Sequence, residues 1–393
     1  MAAGRPTVVI AGAGIGGLTA ALALAAAGCR VVILEQATVL QEAGAGLQLS
    51  PNASRILIRL GLHAPLAASA IVPDAVRVMS GPRGVEISRL PLPRNTDAPY
   101  WVIHRAALQA ALAAEVAKHP DIELRLGCPF VDVRDEADGV RVTSGPAESR
   151  HDDAATALIG ADGIWSRVRA ALWPDIAPRF SGSIAWRGTV DAERLTGVAP
   201  THEVQLWMGA NAHLVVYPIS AGTRVNVVAI TSGEWNEPGW SAPAADADVQ
   251  AQFDATRWAA PARAIVGAVS EWRKWALFTV PDGIPWSRGR AALLGDAAHA
   301  MLPFAAQGAG MAIEDAAVLA SCLAERPDDT PAALAHYAGL RQPRIARVQH
   351  TARQNGRIYH LGGPLAAARD LAMRAIGGER LLARQSWIYD WLG

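Results

Sequence analysis

Apolar residues fall in short unbroken runs near the N-terminus and in alternation farther along, and this change of period divides the chain. Residues 7–11 (TVVIA) and 29–35 (CRVVILE) are compact apolar runs. Between them, 15–27 is dominated by Ala and Leu. Runs buried on both faces predict two parallel strands joined by a crossover helix. A helical pattern covers 105–118, and 138–143 and 157–161 read as further strands. From 176 to 275 the texture changes to Thr, Val and Trp, with alternating stretches such as HLVVYPI and RVNVVAI, which predict antiparallel sheet. Strand–turn–helix patterning returns after residue 290 (AALLGDAAHAMLPF), and the last eighty residues read as mostly helical. No repeat or low-complexity tail interrupts this order. The expected fold class is α/β: a Rossmann-type dinucleotide fold interrupted by an inserted, mostly antiparallel sheet and then resumed, with a helical C-terminus.

Composition narrows the classes. At 393 residues the chain exceeds the roughly 250–300 that one core sustains, so two domains are expected. Lys plus Arg (36) equals Asp plus Glu (36), so no bulk field draws the protein to nucleic acid or an anionic membrane. Cys29, Cys128 and Cys322 are widely spaced and form no CxxC pair, which fits a reducing, cytoplasmic setting and gives no metal-site spacing. The nearly uncharged segment 7–29 imitates a signal peptide or a membrane span. Its glycines and the charged strand after it favour a buried strand–turn–helix.

That segment carries a motif. Gly12, Gly14 and Gly17, with Ile15 and Gly16 between them, form GxGxxG between a strand and a helix. The first glycine permits the turn, the second lets backbone approach a pyrophosphate, and the third permits close helix–strand packing. The helix N-terminus offers free N–H groups to the phosphates. Glu35 ends the next strand, where a carboxylate accepts from adenosine ribose hydroxyls. The motif by itself leaves FAD and NAD both open.

Two later segments choose between them. LIGADGIWSRVR (158–169) puts Asp162–Gly163 after an apolar strand, and LLGDAAHAMLPFAAQGAGMAIEDA (from 293) puts Gly295–Asp296 after another. GxGxxG, then DG, then GD, in this order and spacing, resembles the single-component FAD-dependent aromatic hydroxylases. Within them the chain looks most like salicylate hydroxylase, 3-hydroxybenzoate 6-hydroxylase and 6-hydroxynicotinate 3-monooxygenase. HRAAL at 104–108, AWRG at 185–188 and KWALF at 274–278 extend the likeness over nearly the whole chain.

The resemblance implies non-covalent FAD, with NADH or NADPH as a transient reductant that has no Rossmann unit of its own. Residues 1–75, 100–175 and 276–393 would form the FAD-binding domain, and 76–99 with 176–275 the substrate domain. Asp296 would bond a ribityl hydroxyl, and the backbone of Gly308, Ala309, Gly310 and Met311 would meet the flavin ring. Pro303 would lie beside its reactive face. Asp162 and Gly163 would serve FAD and NAD(P)H, and Arg105 and Gln109, four apart on one helix, could reach the FAD chain. Simpler roles stay open: a turn for Asp162, a helix cap for Asp296, a surface cation for Arg105, a solvated neighbour for Gln109. His299 reads as a packed residue. Ala300 and Gly310 depart from the residues common in these relatives, which puts flavin mobility in question.

His213 and Tyr217 lie four apart on one predicted strand, hence on one face. A flavin C4a-hydroperoxide delivers electrophilic oxygen, so a phenol reacts faster as phenolate, and His suits the base that makes it. In the relatives a matching HxxxY strand contacts substrate, which implies catalytic roles here. Packing at a domain interface is the alternative. Gln48 and Gln307 could orient substrate by amide hydrogen bonds, and Arg187 is the nearest cation for an acidic ring; each could instead be structural.

The leading expectation is an FAD-dependent hydroxylase acting on a small aromatic acid and O2, as monomer or homodimer, with no nucleic acid or stable membrane partner. Alternatives are a hydroxylase of a purine such as urate, a flavin reductase or oxidase of the same fold, and a non-catalytic dinucleotide sensor. The C-terminal RLLARQSWIYDWLG predicts an amphipathic helix docked on the protein or on a second subunit.

Overall fold

The computed structural model describes residues 5–40, 46–94, 96–198 and 202–392. Thr7–Ala11 is a strand that pairs in parallel with Arg30–Leu34 on one side and Ala157–Gly160 on the other. Ile15–Ala26 is the helix crossing between the first two. Ile122–Arg125 and Ala291–Leu293 extend the sheet in parallel, and Ser287–Arg288 closes one edge antiparallel. Strands Ala291–Leu293, Ala157–Gly160 and Thr7–Ala11 are therefore adjacent and point the same way. The three motifs that are far apart in sequence all leave the carboxyl edge of this sheet side by side, where open α/β sheets bind ligands.

Close packing on the crossover helix follows from its small residues. Ala and Gly make up 7 of its 12 residues, and it packs on the helix Gly308–Glu325. A Cβ added at Gly17 would fall 1.9 Å from the carbonyl oxygen of Gly12, so only glycine permits this approach of helix to strand.

The second sheet has eight strands. In spatial order they are Ser241–Ala244, Trp272–Thr279, Arg179–Asp191, Arg224–Ser232, Ala212–Ile219, Glu203–Gly209, Ala75–Ser80 and Glu86–Pro91. Every neighbouring pair is antiparallel except Glu203–Gly209 with Ala75–Ser80. Alternation along Ala212–Ile219 sends Leu214 and Val216 into a core with Phe253, Trp258 and Ile265. His213, Val215 and Tyr217 consequently share the opposite face. A three-stranded meander (Phe130–Glu136, Gly139–Ser144, His151–Ala155) was foreshadowed only in its middle strand.

The C-terminal part is helical, as expected, with Thr330–Tyr359 running 30 residues. The tail differs from the single helix predicted for it. It breaks into Gly378–Ala383 and Ser386–Tyr389, and it docks on the chain itself. Arg55 donates to the carbonyl of Trp391 at 2.7 Å, Arg344 to that of Trp387 at 3.0 Å, and the Arg347 guanidinium lies 3.8 Å from the centre of the Trp387 ring. Among the described residues no helix is long and apolar enough to cross a membrane, and all three cysteines are buried and unpaired.

Candidate active site

Where the three motifs emerge, an elongated cavity of about 860 Å³ opens along the edge of the first sheet. Gly12 and Gly14 line one end. Gly14 precedes the crossover helix, no side chain caps that end, and the space beside the Gly14 Cα is open, so the first-turn N–H groups are available to an anion. Glu35 braces the loop: its Oε2 accepts from Ala13 N and its Oε1 from Ala37 N, both at 2.8 Å. The Gln109 amide donates to Ala13 O at 3.2 Å, fixing the same loop from the helix Arg105–Val116.

The DG and GD segments form the middle of the cavity. Oδ2 of Asp162 accepts from the backbone N–H of Arg167 and Val168, so the turn role is real. Its Oδ1, however, is buried with no hydrogen-bond partner among the described residues, and burial pushes the carboxyl up. An orphan acceptor in a cavity wall fits a ligand donor. Asp296 follows Gly295, whose φ of +62° turns the chain sharply, and its side chain caps nothing; it lines the cavity instead. The helix-cap alternative for Asp296 therefore fails. Arg105 lines the cavity too, and although burial pulls its guanidinium down, the charge of Asp296 opposes that. Free helix N–H donors, the carboxylate acceptors of Asp162 and Asp296 and a long cleft fit the phosphates, hydroxyls and length of FAD.

Gly14, Arg105, Gly163, Arg187, Asp296 and Pro303 also line a second, inner cavity of about 270 Å³ that continues from the first. Ile15, Gly16, Gly308 and Ala309 line it as well, together with Gln48, His213 and Tyr217. The helix Gly308–Glu325 begins here with no side-chain cap. Gln48 accepts the hydroxyl of Tyr100 at 2.7 Å, leaving its amide nitrogen as the end for a ligand. The Nε of Arg187 is buried without a partner among the described residues, and its guanidinium lies over the Trp275 ring. Burial, then the nearby charge of Arg105, pulls the pKa of Arg187 down.

His213 is 1 % exposed. Burial holds its imidazole well below the usual range, and the neighbouring His360 adds to that, so the ring is neutral. Tyr217 is held firmly as a phenol, chiefly by burial. Its ring packs on the backbone of Gly46, where an added Cβ would fall 2.4 Å from Cε2.

Three expectations are corrected. Gln307 does not reach the cavity wall: its amide donates to Ser50 Oγ at 2.8 Å and accepts from Asn52 at 3.2 Å, so both ends are spent in the core. Gly310 and Met311 are buried behind the helix start, and the Met311 N–H is already bonded to Gln307 O at 2.8 Å. Only Gly308 and Ala309 present the helix start to the cavity. His299 is, as expected, packed away from both cavities, 2.5 Å from Asp315.

Sequence reasoning missed His360. Its Nε2 lies 2.8 Å from Nδ1 of His213, and it arrives from the far end of the thirty-residue helix. Nothing in RIYH marks that position as part of a site 147 residues away. The buried cluster of Glu314, Asp315, Arg341 and Arg344 was likewise missed; the pairing of its charges across two helices is a tertiary fact.

The comparisons agree with this geometry. A sequence model of the family described as "FAD binding domain" matches residues 5–352. The chain is 38 % identical over 391 residues to a 3-amino-4-hydroxybenzoate 2-monooxygenase of Streptomyces platensis, covering 98 % of this chain and 96 % of that one. It is 33 % identical to a 3-hydroxybenzoate 6-hydroxylase of Klebsiella oxytoca, with the same two coverages. Among solved structures, a salicylate hydroxylase substrate complex superposes with a TM-score of 0.82 at 26 % identity, over 99 % of this chain and 96 % of that one. Relatives that are enzymes along their whole length remove the reading as a non-catalytic sensor.

Proposed function

From the premise that this chain belongs to the FAD-binding-domain family, and within it to the flavoprotein monooxygenases, we propose that it hydroxylates a small phenolic or hydroxylated N-heteroaromatic acid. The reductant is NADH or NADPH and the oxidant is dioxygen. The observation that carries the proposal is the inner cavity. It puts a neutral imidazole (His213), a phenol (Tyr217) and a guanidinium short of a partner (Arg187) around one small space beside a helix N-terminus.

Bound FAD supplies the redox chemistry, accepting hydride and activating dioxygen. The rest falls to the chain. The N-terminus of Ile15–Ala26 holds the pyrophosphate, Glu35 the adenosine ribose and Asp296 the ribityl chain. Gly308 and Ala309 turn positive helix dipole toward the ring system, favouring negative charge there. Pro303 and Met301 complete the lining. Arg187 receives the substrate carboxylate, and His213 accepts the phenolic proton, which makes the ring electron-rich enough to be attacked. Tyr217 donates to the resulting oxyanion.

The test is direct. Hydroxybenzoates and hydroxynicotinates are screened for stimulated NADH and NADPH oxidation, and the product is identified by mass. A substrate that gains one oxygen atom per nicotinamide oxidised is expected. Nicotinamide oxidation that yields only hydrogen peroxide with every acid tried would overturn the assignment as a hydroxylase.

A further inference from the structure

The contact between His213 and His360 joins a fully buried ring to one that is only partly buried, and among the described residues no other side chain bonds Nδ1 of His213. We propose that His360 is the positioning residue for His213: its Nε2 accepts the Nδ1–H of His213 and thereby turns the lone pair of Nε2 toward the substrate. This rests on the role of His213 given above.

The argument begins with tautomers. A neutral imidazole carries one proton, and the hydrogen bond at one nitrogen decides which nitrogen is the acceptor. Only one ring of a neutral pair can donate in the Nδ1···Nε2 contact. If His360 donated, Nδ1 of His213 would be filled as an acceptor and its Nε2 would carry hydrogen, leaving it unable to take a phenolic proton. The acceptor role for His360 is the one that leaves His213 competent. Both rings are neutral, since burial holds His360 down at about 4 and His213 well below its usual range.

Surroundings hold the pair in place. Phe304 and Tyr359 meet the His213 ring edge-on at 5.3 and 5.4 Å between centroids. Across the sheet its neighbours are Met208 and Ile230, both apolar. Asn211 N–H donates to the His360 carbonyl at 3.2 Å, and Arg369 donates to the carbonyls of Ile358 and Tyr359, which fixes the end of the helix. Tyr359 and Arg369 are titratable or charged groups at this helix end, and Tyr217 shares the strand face of His213. Among the described residues none of the three is bonded to either imidazole, so the tautomer is set within the pair.

Three substitutions separate the possibilities. His360→Glu supplies an acceptor only, His360→Lys a donor only, and His360→Leu neither. FAD content, thermal midpoint and the rate of flavin reduction are measured as controls of fold. Product formed per nicotinamide oxidised is the functional readout. The glutamate variant is expected to retain at least half of the wild-type coupling, and the leucine and lysine variants to fall tenfold or more. Nitrogen-15 spectra of histidine-labelled, substrate-free protein should show the His213 proton on Nδ1 in wild type, independently of any reaction. A proton on Nε2, or a lysine variant better coupled than the glutamate variant, overturns the assignment. So does wild-type coupling in the leucine variant. If wild type itself yields no hydroxylated product, the enzymatic reading fails while the spectrum still decides the tautomer.

Discussion

The backbone N–H of Gly295 donates to Oδ2 of Asp315 at 3.1 Å. The same carboxylate meets Nε2 of His299 at 2.5 Å and Nε of Arg341 at 2.7 Å through its two oxygens. A fully buried acid thus holds the turn that aims Asp296 into the cavity, from behind the site and from another helix.

Replacing that acid breaks a turn and a charge pair together. Asp315→Asn is expected to destabilise the fold by up to about 3–5 kcal/mol, because it removes one of the two buried carboxylates paired with Arg341 and leaves Glu314 to balance it alone. FAD content should fall with it. Burial by itself would raise the Asp315 carboxyl; the charges of His299 and Arg341 outweigh that and hold it below the usual range. A depressed carboxylate stabilises above its unfolded pKa, and that contribution is lost as pH falls through the folded value. The thermal midpoint of wild type should therefore decline at acid pH, below about 4, and that acid slope should be shallower in the asparagine variant. Calorimetry across pH checks both.

Asp296 presents the opposite case, a carboxylate that lines the cavity and caps nothing. Asp296→Ala should leave the thermal midpoint of the apoprotein nearly unchanged and weaken FAD by roughly ten- to a hundredfold, as expected for one lost charge-assisted hydrogen bond of about 1.5–3 kcal/mol. Fluorescence titration of apoprotein with FAD measures it. Acid precipitation of wild type should leave the yellow colour in the supernatant; colour in the pellet would show covalent attachment.

What the sequence made legible follows a physical line. Thr7–Ala11 and its helix were readable because local pattern and motif chemistry agree there, and the face shared by His213 and Tyr217 because strand alternation has a fixed period. That three motifs would meet depended on strand order, which no local signal carries. Gln307 was misread because an amide in a loop beside a site looks the same whether it turns to ligand or to Ser50. His360 was invisible because its role exists only after the long helix packs back onto the second sheet.

Gly46 supplies a test of the cavity wall that spares the cofactor loop. An alanine there would put Cβ 2.4 Å from the Tyr217 ring, and its N–H is bonded to Asn226 Oδ1 at 2.8 Å, so backbone and ring cannot both stay. Tyr217 is 3 % exposed and has little room to yield. Gly46→Ala should cost about 1–3 kcal/mol of stability as an overpacked core does. It should raise the KM for the aromatic acid while leaving FAD affinity within about twofold. Equal losses in both would place the strain in the FAD site instead.

His213→Gln bears most directly on mechanism. General-base contributions are typically about 10²–10⁴ in rate, so hydroxylation should slow within that range while flavin reduction is spared. The variant should be uncoupled: nicotinamide is still oxidised, but dioxygen leaves as hydrogen peroxide. Raising the pH should restore part of the product yield, since solvent hydroxide can form the phenolate that the imidazole no longer makes. The stability effect has its own sign. A histidine whose folded pKa is depressed binds fewer protons folded than unfolded, so stability rises with pH through the interval below the ordinary histidine value of about 6.5 and is complete above it. Wild type should thus lose stability from about pH 6.5 downward, and His213→Gln should lose less of it, although His360 keeps a share. Product formed per nicotinamide oxidised, followed from pH 6 to 9, separates a base from a packing residue. A packed ring would take FAD content and thermal midpoint down together while the remaining activity stayed coupled. Full coupling with an unaltered pH profile would remove His213 from the reaction.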